Sequence, residues 1–234
     1  MKKRDPNVKA VPYNGVSETQ RESLYLNSKN VFGYEQDYYQ SCYTSALIEK
    51  NAKSSSHFQS SIGRSLSELD KDQCISESLL HANNWLEASA IPTGKYDVVF
   101  DPDAFAQLFG CFSNIFSGKG AMLKNNPFGD KVGVKVASSK LTVSDLPNFD
   151  QAFSSYFFDS EGIKHKDLIL IEDGVLKSFY HNSVSAKFFN LESTAHAARG
   201  AKSSLGVSGT TKVISAGDVS MSDLNSGEYL EILS

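Results

Sequence analysis

The strongest local signal in this chain is an Asp-Gly pair set between two apolar segments rich in β-forming residues. The segment 168–171 (Leu-Ile-Leu-Ile) comes before Asp173-Gly174, and Val175-Leu176 follows it. An Asp-Gly pair at this spacing is typical of a two-residue hairpin turn with positive φ at the glycine. The sequence therefore predicts an antiparallel hairpin at this point.

A helix is predicted to begin at Asp70, which has capping-box spacing to Gln73. Apolar residues then recur on one helical face. These residues are Ile75, Leu79, Ala82 and Leu86. Pro92 and Gly94 are predicted to end this helix.

A second helix is predicted after a short buried strand at 96–100. Asp101 is its expected N-cap, and Pro102 lies in its first turn. Phe109 and Phe112 are expected to pack on its apolar face, and Gly118 is expected to end it. The rest of that apolar stripe consists of Phe105, Leu108, Ile115 and Phe116.

The remaining segments complete an α+β pattern. Residues 8–62 are predicted to form strands, with a turn at 27–30 before the aromatic and β-branched stretch 31–48. A short helix is expected around Ala186, and residues 203–234 show little pattern. The predicted fold class is therefore α+β, with mixed sheets and packed helices.

Composition narrows the classes of function. The formal net charge of −4 argues against a nucleic-acid partner. No apolar run approaches the ~20 residues that span a membrane, and the basic start lacks the apolar core of a signal peptide. Three irregularly spaced cysteines predict no disulfide framework and indicate a reducing compartment. Together these features predict a cytoplasmic protein without a membrane partner.

The sequence carries few signals of catalysis. No two of its five histidines lie within one helical turn of each other, as the metal-binding helix of a metalloprotease requires, so no metal site is predicted. Glu192 and His196 have i, i+4 spacing, which is typical of a surface pair or a helix cap. The segment 158–162 (Phe-Asp-Ser-Glu-Gly) could be a turn, a metal loop or an acid pair, and a turn is favoured.

Six segments, in the same order, resemble motifs of the TldD/PmbA family. The segment 92–100, PTGKYDVVF, is similar to the family's P-T-G-x-Y-P-V-V-F, and 157–162 is similar to its F-D-x-E-G. The other similar segments are 62–66, 171–176, 183–187 and 192–197. The resemblance covers roughly residues 24–217 and implies the family's fold. At Ala195 the family usually has glycine.

One departure assigns the branch of the family. The TldD branch binds its metal through H-E-x-x-x-H, and on that register this chain has Phe109, Gly110 and Asn114. Phe and Gly offer no side-chain ligand, and an Asn amide is a poor zinc donor. The resemblance is therefore to the TldE (PmbA) branch. It implies a metallopeptidase-family subunit that is inactive alone, with no catalytic residue and no cofactor in this chain and with zinc in the partner subunit.

The resemblance also implies an organisation and partners. Residues 1–93 are expected to be part of a middle domain, and 94–234 the front portion of a protease-like C-terminal domain, so that the fold is incomplete and truncated at both ends. The expected partners are a TldD-type catalytic subunit and a peptide or unfolded protein substrate. One alternative is a stand-alone binding or regulatory protein of the DNA gyrase modulator type. Another is an enzyme with an unrecognised site.

The predicted site lies in the polar segment 193–199, which matches a family motif close to the protease site. Burying many unpaired polar groups is costly, so a substrate groove or a subunit interface is expected here. The alternative is a solvated helix end. The residues concerned are Ser193, Thr194, His196 and Arg199.

Overall fold

The computed structural model describes residues 1–224, 226 and 229–232. The chain divides into two compact units by its internal contacts. The first consists of residues 1–23 and 36–93, and the second of residues 24–35 and 94–234. The assignment of 1–93 to a middle domain and of 94–234 to a protease-like domain stays a prediction.

The first unit is built on a sheet centred on one long strand. Its strands are β1 (Val8–Ala10), β2 (Asn14–Leu26), β3 (Phe32–Lys50) and β4 (Lys53–Gly63), of which residues 24–26 and 32–35 are counted with the second unit. Strands β1, β2 and β4 all pair with β3. The hairpin between β3 and β4 turns at Asn51 and Ala52, both with positive φ. The predicted strands and the turn at 27–30 are confirmed.

Helix α1 (Lys71–Glu87) packs against this sheet and follows a 3-10 turn, Leu66–Glu68. The Asp70 side chain accepts a hydrogen bond from the Gln73 backbone N–H at 2.8 Å, which confirms the predicted cap. The predicted apolar face is buried against Ala46 and Ile48 of β3. The helix ends at Glu87, before the predicted stop at Pro92.

The second unit has a four-stranded sheet in the order β11-β6-β7-β8. Its strands are β6 (Val143–Asp145), β7 (Leu168–Glu172), β8 (Val175–Leu176) and β11 (Lys212–Ile214). Asp173 and Gly174 both have positive φ, at 49° and 78°, so the predicted hairpin is confirmed. A Cβ on Gly174 would lie 2.4 Å from the Ala137 carbonyl oxygen, so the turn needs glycine for space as well as for conformation.

Short elements surround this sheet. The helices are α2 (Pro102–Cys111), α3 (Gly118–Met122), α4 (Ser183–Phe188) and α5 (Met221–Leu224), with a 3-10 turn at Ser113–Phe116. Parallel strands β5 (Val98–Phe100) and β12 (Leu230–Ile232) form one ribbon, and β9 (Ala197–Ala198) pairs with β10 (Gly206–Val207) in another. The helix predicted around Ala186 is confirmed as α4. Residues 203–234, in which the sequence shows little pattern, contribute β10, β11 and β12.

The predicted second helix is only partly correct. Asp101 caps α2 and Pro102 is its first residue, as expected. However, α2 ends at Cys111, and Gly118 begins α3 instead of ending the helix. Phe112 is 57% exposed, so its predicted packing is wrong, because the apolar stripe turns away from the core where the helix ends. Strand β5 forms, but Val98 and Phe100 are exposed, so the prediction of a buried strand is wrong.

The core of the second unit lies between its sheet and the segments next to α3. Phe109 packs against this core and stacks on Phe105 with ring centroids 5.7 Å apart, as predicted. Among the described residues, no helix is both long and apolar enough to cross a bilayer. The buried core residues are Phe116, Val143, Leu170, Ile171, Leu176, Phe179 and Tyr180.

Candidate functional site

A fully buried carboxylate, Asp145, lies at the end of β6 between β7 and β11. It accepts hydrogen bonds from the Tyr180 hydroxyl at 2.8 Å and from the Thr210 backbone N–H at 2.9 Å. The Thr210 hydroxyl and the His196 ring contact its other oxygen. Burial by itself would raise the pKa of Asp145, but the hydrogen bonds from His196, Thr210 and Tyr180 outweigh burial and hold the pKa below its usual value.

His196 is also fully buried, and both of its ring nitrogens face acceptors. Nε2 lies 3.2 Å from Asp145 Oδ1, and Nδ1 lies 2.6 Å from the Thr194 carbonyl oxygen. Nδ1 also lies 3.0 Å from the Thr194 hydroxyl oxygen. Both ring nitrogens of His196 therefore contact protein atoms, and the carboxylate holds the ring in one orientation.

Two further aromatic rings lie near this pair. Tyr180 and His165 lie 4.7 and 5.4 Å from the His196 ring, measured between centroids. Burial, and then the proximity of His196, lower the pKa of both His165 and His181. Burial, followed by the Asp145 carboxylate, raises the pKa of Tyr180. These shifts keep the two histidines neutral and the tyrosine protonated at neutral pH.

The predicted site segment is bound to the backbone of His181. The hydroxyls of Ser193 and Thr194 donate to the His181 carbonyl oxygen at 3.2 and 3.3 Å, and the His196 N–H donates to the same oxygen at 3.2 Å. Ala195, between them, has φ +59°, in the left-handed region that favours glycine. A glycine at this position would adopt the same conformation without strain.

The structure places the four predicted site residues at different depths. Ser193 and Thr194 are half-buried, Arg199 is exposed, and His196 lies in the interior. Residues 191–196 are not helical and His196 is buried, so the prediction of a surface pair or helix cap for Glu192 and His196 is wrong, and so is the alternative of a solvated helix end. The role of the segment as a groove or interface stays a prediction.

The loop 157–162 is a turn, as predicted, and it is joined to the same segment. The Asp159 carboxylate accepts from the backbone N–H groups of Glu161 and Ile163, both at 2.9 Å, and of Ala197 at 3.0 Å. The Glu161 carboxylate accepts from the Ser183 N–H at 2.9 Å, at the start of α4. Both carboxylates therefore bind backbone and position neighbouring segments.

Two concave regions lie beside the segment. One, of about 430 Å³, is lined by Ser193, Thr194 and Ala195 on one side, and by 163–164 and 166–168 on the other. The second, of about 410 Å³, is mainly apolar. Its walls include Val132, Phe179, His181, Phe189 and Leu191. Ser193, Thr194 and Ala195, at the start of the segment, thus line a cavity large enough for a peptide side chain.

The family's metal positions fall at the end of α2. Phe109 is half-buried in the core, and a Cβ on the exposed Gly110 would meet no atom within 4 Å. Asn114 lies outside the helix, in the 3-10 turn, and its side-chain amide donates to the Asn125 carbonyl oxygen at 3.0 Å. Within the described part of the chain, no group of three or more His, Cys, Asp or Glu side chains is placed to hold a metal ion.

The hydrogen-bonded cluster around Asp145 and His196 could not be predicted from the sequence. Asp145, Tyr180 and Thr210 are far apart in the chain and match no motif, and the sheet brings them together. The available signal was small: an aspartate shortly after the β-forming segment 141–143 (Leu-Thr-Val). A carboxylate at the end of a buried strand needs donors from elsewhere in the fold.

Comparison with known proteins identifies the class as metallopeptidase-related. The family profile described as the PmbA/TldA metallopeptidase C-terminal domain matches residues 93–231, more than half of the chain. This chain therefore belongs to the PmbA/TldD family, and its mixed helices and sheets match the family's fold.

Individual relatives agree with this assignment. A metalloprotease of Methanothermobacter thermautotrophicus is 32% identical over 158 residues, which is 62% of this chain and 33% of that protein. The crystal structure of TldE from Thermococcus kodakarensis is similar with a TM-score of 0.77 and 26% identity, over 95% of this chain and 51% of that one. A proposed modulator of a DNA gyrase from Thermotoga maritima has the same fold, with a TM-score of 0.85 and 23% identity, over 94% of this chain and 50% of that one. The chain spans about half the length of these structures and a third of the curated relative.

Proposed function

We propose that this chain is a non-catalytic subunit of the TldE (PmbA) type, which works with a TldD-type catalytic subunit in the proteolysis of peptides or unfolded proteins. The metal is carried by that partner. This chain contributes contact surface to the substrate or to the partner, through the segment 193–199. Inside the cell we expect it in the cytoplasm.

The observation that carries this proposal is the end of α2. The metal-binding branch of the family needs two imidazoles and a carboxylate at positions where this chain has Phe109, Gly110 and Asn114. Phe109 belongs to the core, and the helix ends at Cys111 before Asn114 is reached. Placing histidines at 109 and 114 would therefore form a metal site only if core packing and the length of α2 changed as well.

The buried pair of Asp145 and His196 supports a positioning role. A general acid or base must reach a substrate proton, directly or through one water. Here the carboxylate and both ring nitrogens are bonded to protein groups, and neither side chain has exposed surface. The pair holds Thr194 and Ala195 at the cavity wall, because His196 is bound in the interior directly after them.

The chemistry of the wall suits a polypeptide ligand. Side chains of both charges line the same cavity as two hydroxyls, so donors and acceptors face one space. These side chains are Lys164, Lys166, Asp167, Glu192, Ser193 and Thr194. The backbone amides and charged side chains of an extended peptide need such mixed partners. Arg199, just beyond β9, is exposed, and its guanidinium offers a fork of donors for a carboxylate or a carbonyl.

The test is a reconstituted peptidase assay with a TldD-type subunit. We expect the complex to cleave an unfolded protein substrate and this chain alone to cleave nothing. Arg199→Ala should lower cleavage or weaken association by roughly tenfold, which corresponds to the ~1.4 kcal/mol of one lost charged contact. Lys202→Ala removes an exposed cation nearby in the chain, so it is the matched control and should behave as wild type.

Three outcomes would count against the proposal. Cleavage by this chain alone would show that it carries its own site. Failure to associate with any TldD-type subunit would favour the stand-alone binding or regulatory role. Equal behaviour of Arg199→Ala and Lys202→Ala, with wild-type activity in both, would leave segment 193–199 outside the functional surface.

A further inference from the structure

Two of the three cysteines meet inside the first unit, away from segment 193–199. Cys42 lies on β3 and Cys74 near the start of α1, and the two residues are only 5% and 3% exposed. The two sulfur atoms are 4.0 Å apart, and Cys74 Sγ is also 4.0 Å from the Cys42 carbonyl oxygen. Both thiols are free, because this separation is about twice the ~2.05 Å length of a disulfide bond.

A cavity gives small ions access to these sulfur atoms. It has a volume of about 280 Å³, opens to the surface, and is lined by both cysteines. The other lining residues include Asn14, Tyr43, Thr44, Lys71 and Ile75. A water molecule occupies about 30 Å³ of liquid, so the cavity holds an ion together with solvent ligands.

The sulfur separation suits one bridging metal ion. Metal–thiolate bonds are close to ~2.3 Å long, so two sulfurs 4.0 Å apart can both bind one ion at an S–metal–S angle of about 120°. That angle is the angle between neighbouring ligands of a trigonal ion. Closing the pair into a disulfide would instead require the sulfurs to approach by about 2 Å.

We propose that Cys42 and Cys74 form a binding site for a soft monovalent metal ion, with Cu(I) as its representative. Two thiolates select soft ions over hard ones. Zinc requires three or four protein ligands, and the described residues bring no third His, Cys, Asp or Glu to this place. Cu(I) needs only two sulfurs, and a third ligand can come from solvent in the cavity.

The binding reaction releases protons and changes no oxidation state. Each thiol loses its proton, so that two thiols and one Cu(I) give a bis-thiolate complex and two protons. Burial, and then the neighbouring Cys42, raise the pKa of Cys74 to about 12, with smaller contributions from Asp70 and Glu77. The bis-thiolate complex carries a net charge of −1, so these two carboxylates oppose its formation and Lys71 on the cavity wall favours it.

The experiment is an anaerobic titration of the whole chain with Cu(I) in competition with the chromogenic chelator bicinchoninate. We expect one tightly bound Cu(I) per chain, with two sulfur ligands visible in the X-ray absorption spectrum. Cys42→Ser and Cys74→Ser should each abolish tight binding, because each removes one of the two sulfur ligands. Cys111→Ser, which removes the exposed cysteine outside the pair, should bind within about twofold of wild type.

Circular dichroism of each variant separates loss of the metal site from loss of the fold. Cys42→Ala and Cys74→Ala are a second pair of variants, in which the thiol is replaced by an apolar group. Folded variants that bind Cu(I) as wild type does would overturn the proposal. Loss of binding in Cys111→Ser would also overturn it. A third contrary result would be a disulfide between Cys42 and Cys74 in the chain isolated under reducing conditions, seen as a mass about two daltons low. The TldE-type function does not depend on this site, so either can fail without the other.

Discussion

Ala195 adopts a left-handed backbone conformation in the middle of the segment that binds His181. For a residue with a Cβ this conformation costs roughly 1–2 kcal/mol, whereas for glycine it does not. Ala195 is held there because Thr194 and His196 on either side are both hydrogen-bonded to His181. The chain thus stores strain at the cavity wall, and its neighbours hold the segment in place.

We expect Ala195→Gly to be close to neutral or stabilising. The matched control is Ala197→Gly in β9, because both alanines are buried and both substitutions remove one methyl group. Of the two, only Ala195 has positive φ. The free energy of unfolding of Ala195→Gly should therefore exceed that of Ala197→Gly by at least about 1 kcal/mol. Urea denaturation of the two variants measures the difference. Equal destabilisation would mean that the backbone at 195 is unstrained.

His165 makes the stability of the second unit depend on pH. Burial and His196 hold its pKa below the ~6.5 of an unfolded chain, so the folded protein binds fewer protons than the unfolded one. This penalty is absent above pH ~6.5 and grows as the pH falls below that value. Asp145, whose pKa is lowered from 3.8, stays ionised in this range and loses its contribution only in stronger acid.

Between pH ~6.5 and ~5, the free energy of unfolding of the wild type should therefore fall. In His165→Gln the free energy of unfolding should fall less steeply, because one titrating group is removed. The two slopes should differ by up to about 1.4 kcal/mol per pH unit. Chemical denaturation at a series of pH values provides the slopes. Lys164→Gln, at the exposed neighbouring position, should keep the wild-type slope. An unchanged slope in His165→Gln would mean that His165 takes up its proton as readily in the folded state as in the unfolded chain.

Helix α2 and the turn that follows it divide one apolar run between core and surface. Phe109 and Phe116 enter the core, with ring centroids 5.9 Å apart, while Leu108 and Phe112 are exposed. The division occurs because α2 stops at Cys111 and the 3-10 turn has a different periodicity. An exposed Phe at a helix end needs no internal partner, so it carries little of the unit's stability.

Two substitutions in this run should therefore differ sharply. Phe116→Ala, at a position with no exposed surface, should lower the free energy of unfolding by about 3–5 kcal/mol. Phe112→Ala, at a position 57% exposed, should change it by no more than about 0.5 kcal/mol. Thermal or urea denaturation compares them directly. A large loss in Phe112→Ala would restore the packed helix face that the periodicity predicts.

Across the whole chain, the two units carry different features. The first has the cysteine pair between β3 and α1, and the second has the buried Asp145–His196 pair and the cavities beside segment 193–199. The described residues bring two thiols together, and they form none of the three-ligand groups that catalytic zinc requires.

The purified chain should therefore hold far less than one zinc, about one being the content of a catalytic site. Elemental analysis after removal of any tag tests this. A chelator such as EDTA should leave the melting temperature unchanged, because metal removal destabilises only a protein whose metal binds the folded state. One zinc per chain, or a melting temperature that falls with EDTA, would contradict a subunit without a zinc site.

Local pattern was sufficient to predict most of the elements and the family. The cap at Asp70 and the turn at Asp173-Gly174 follow from interactions between residues a few positions apart. The six motifs set the register in which Phe109, Gly110 and Asn114 stand at the family's metal positions. The family profile confirms the family, and the relation to a partner subunit stays a proposal.

The tertiary structure, and not the local sequence, decided which polar residues are buried. Segment 193–199 resembles surface because unpaired polar groups are costly to bury, yet His196 is buried because Asp145, 51 residues earlier, supplies the missing partner. The same holds for Cys42 and Cys74, which are 32 residues apart in the chain and in contact in the fold. A local pattern reports what a residue prefers, whereas burial and pairing depend on long-range contacts that the sheets and helices create.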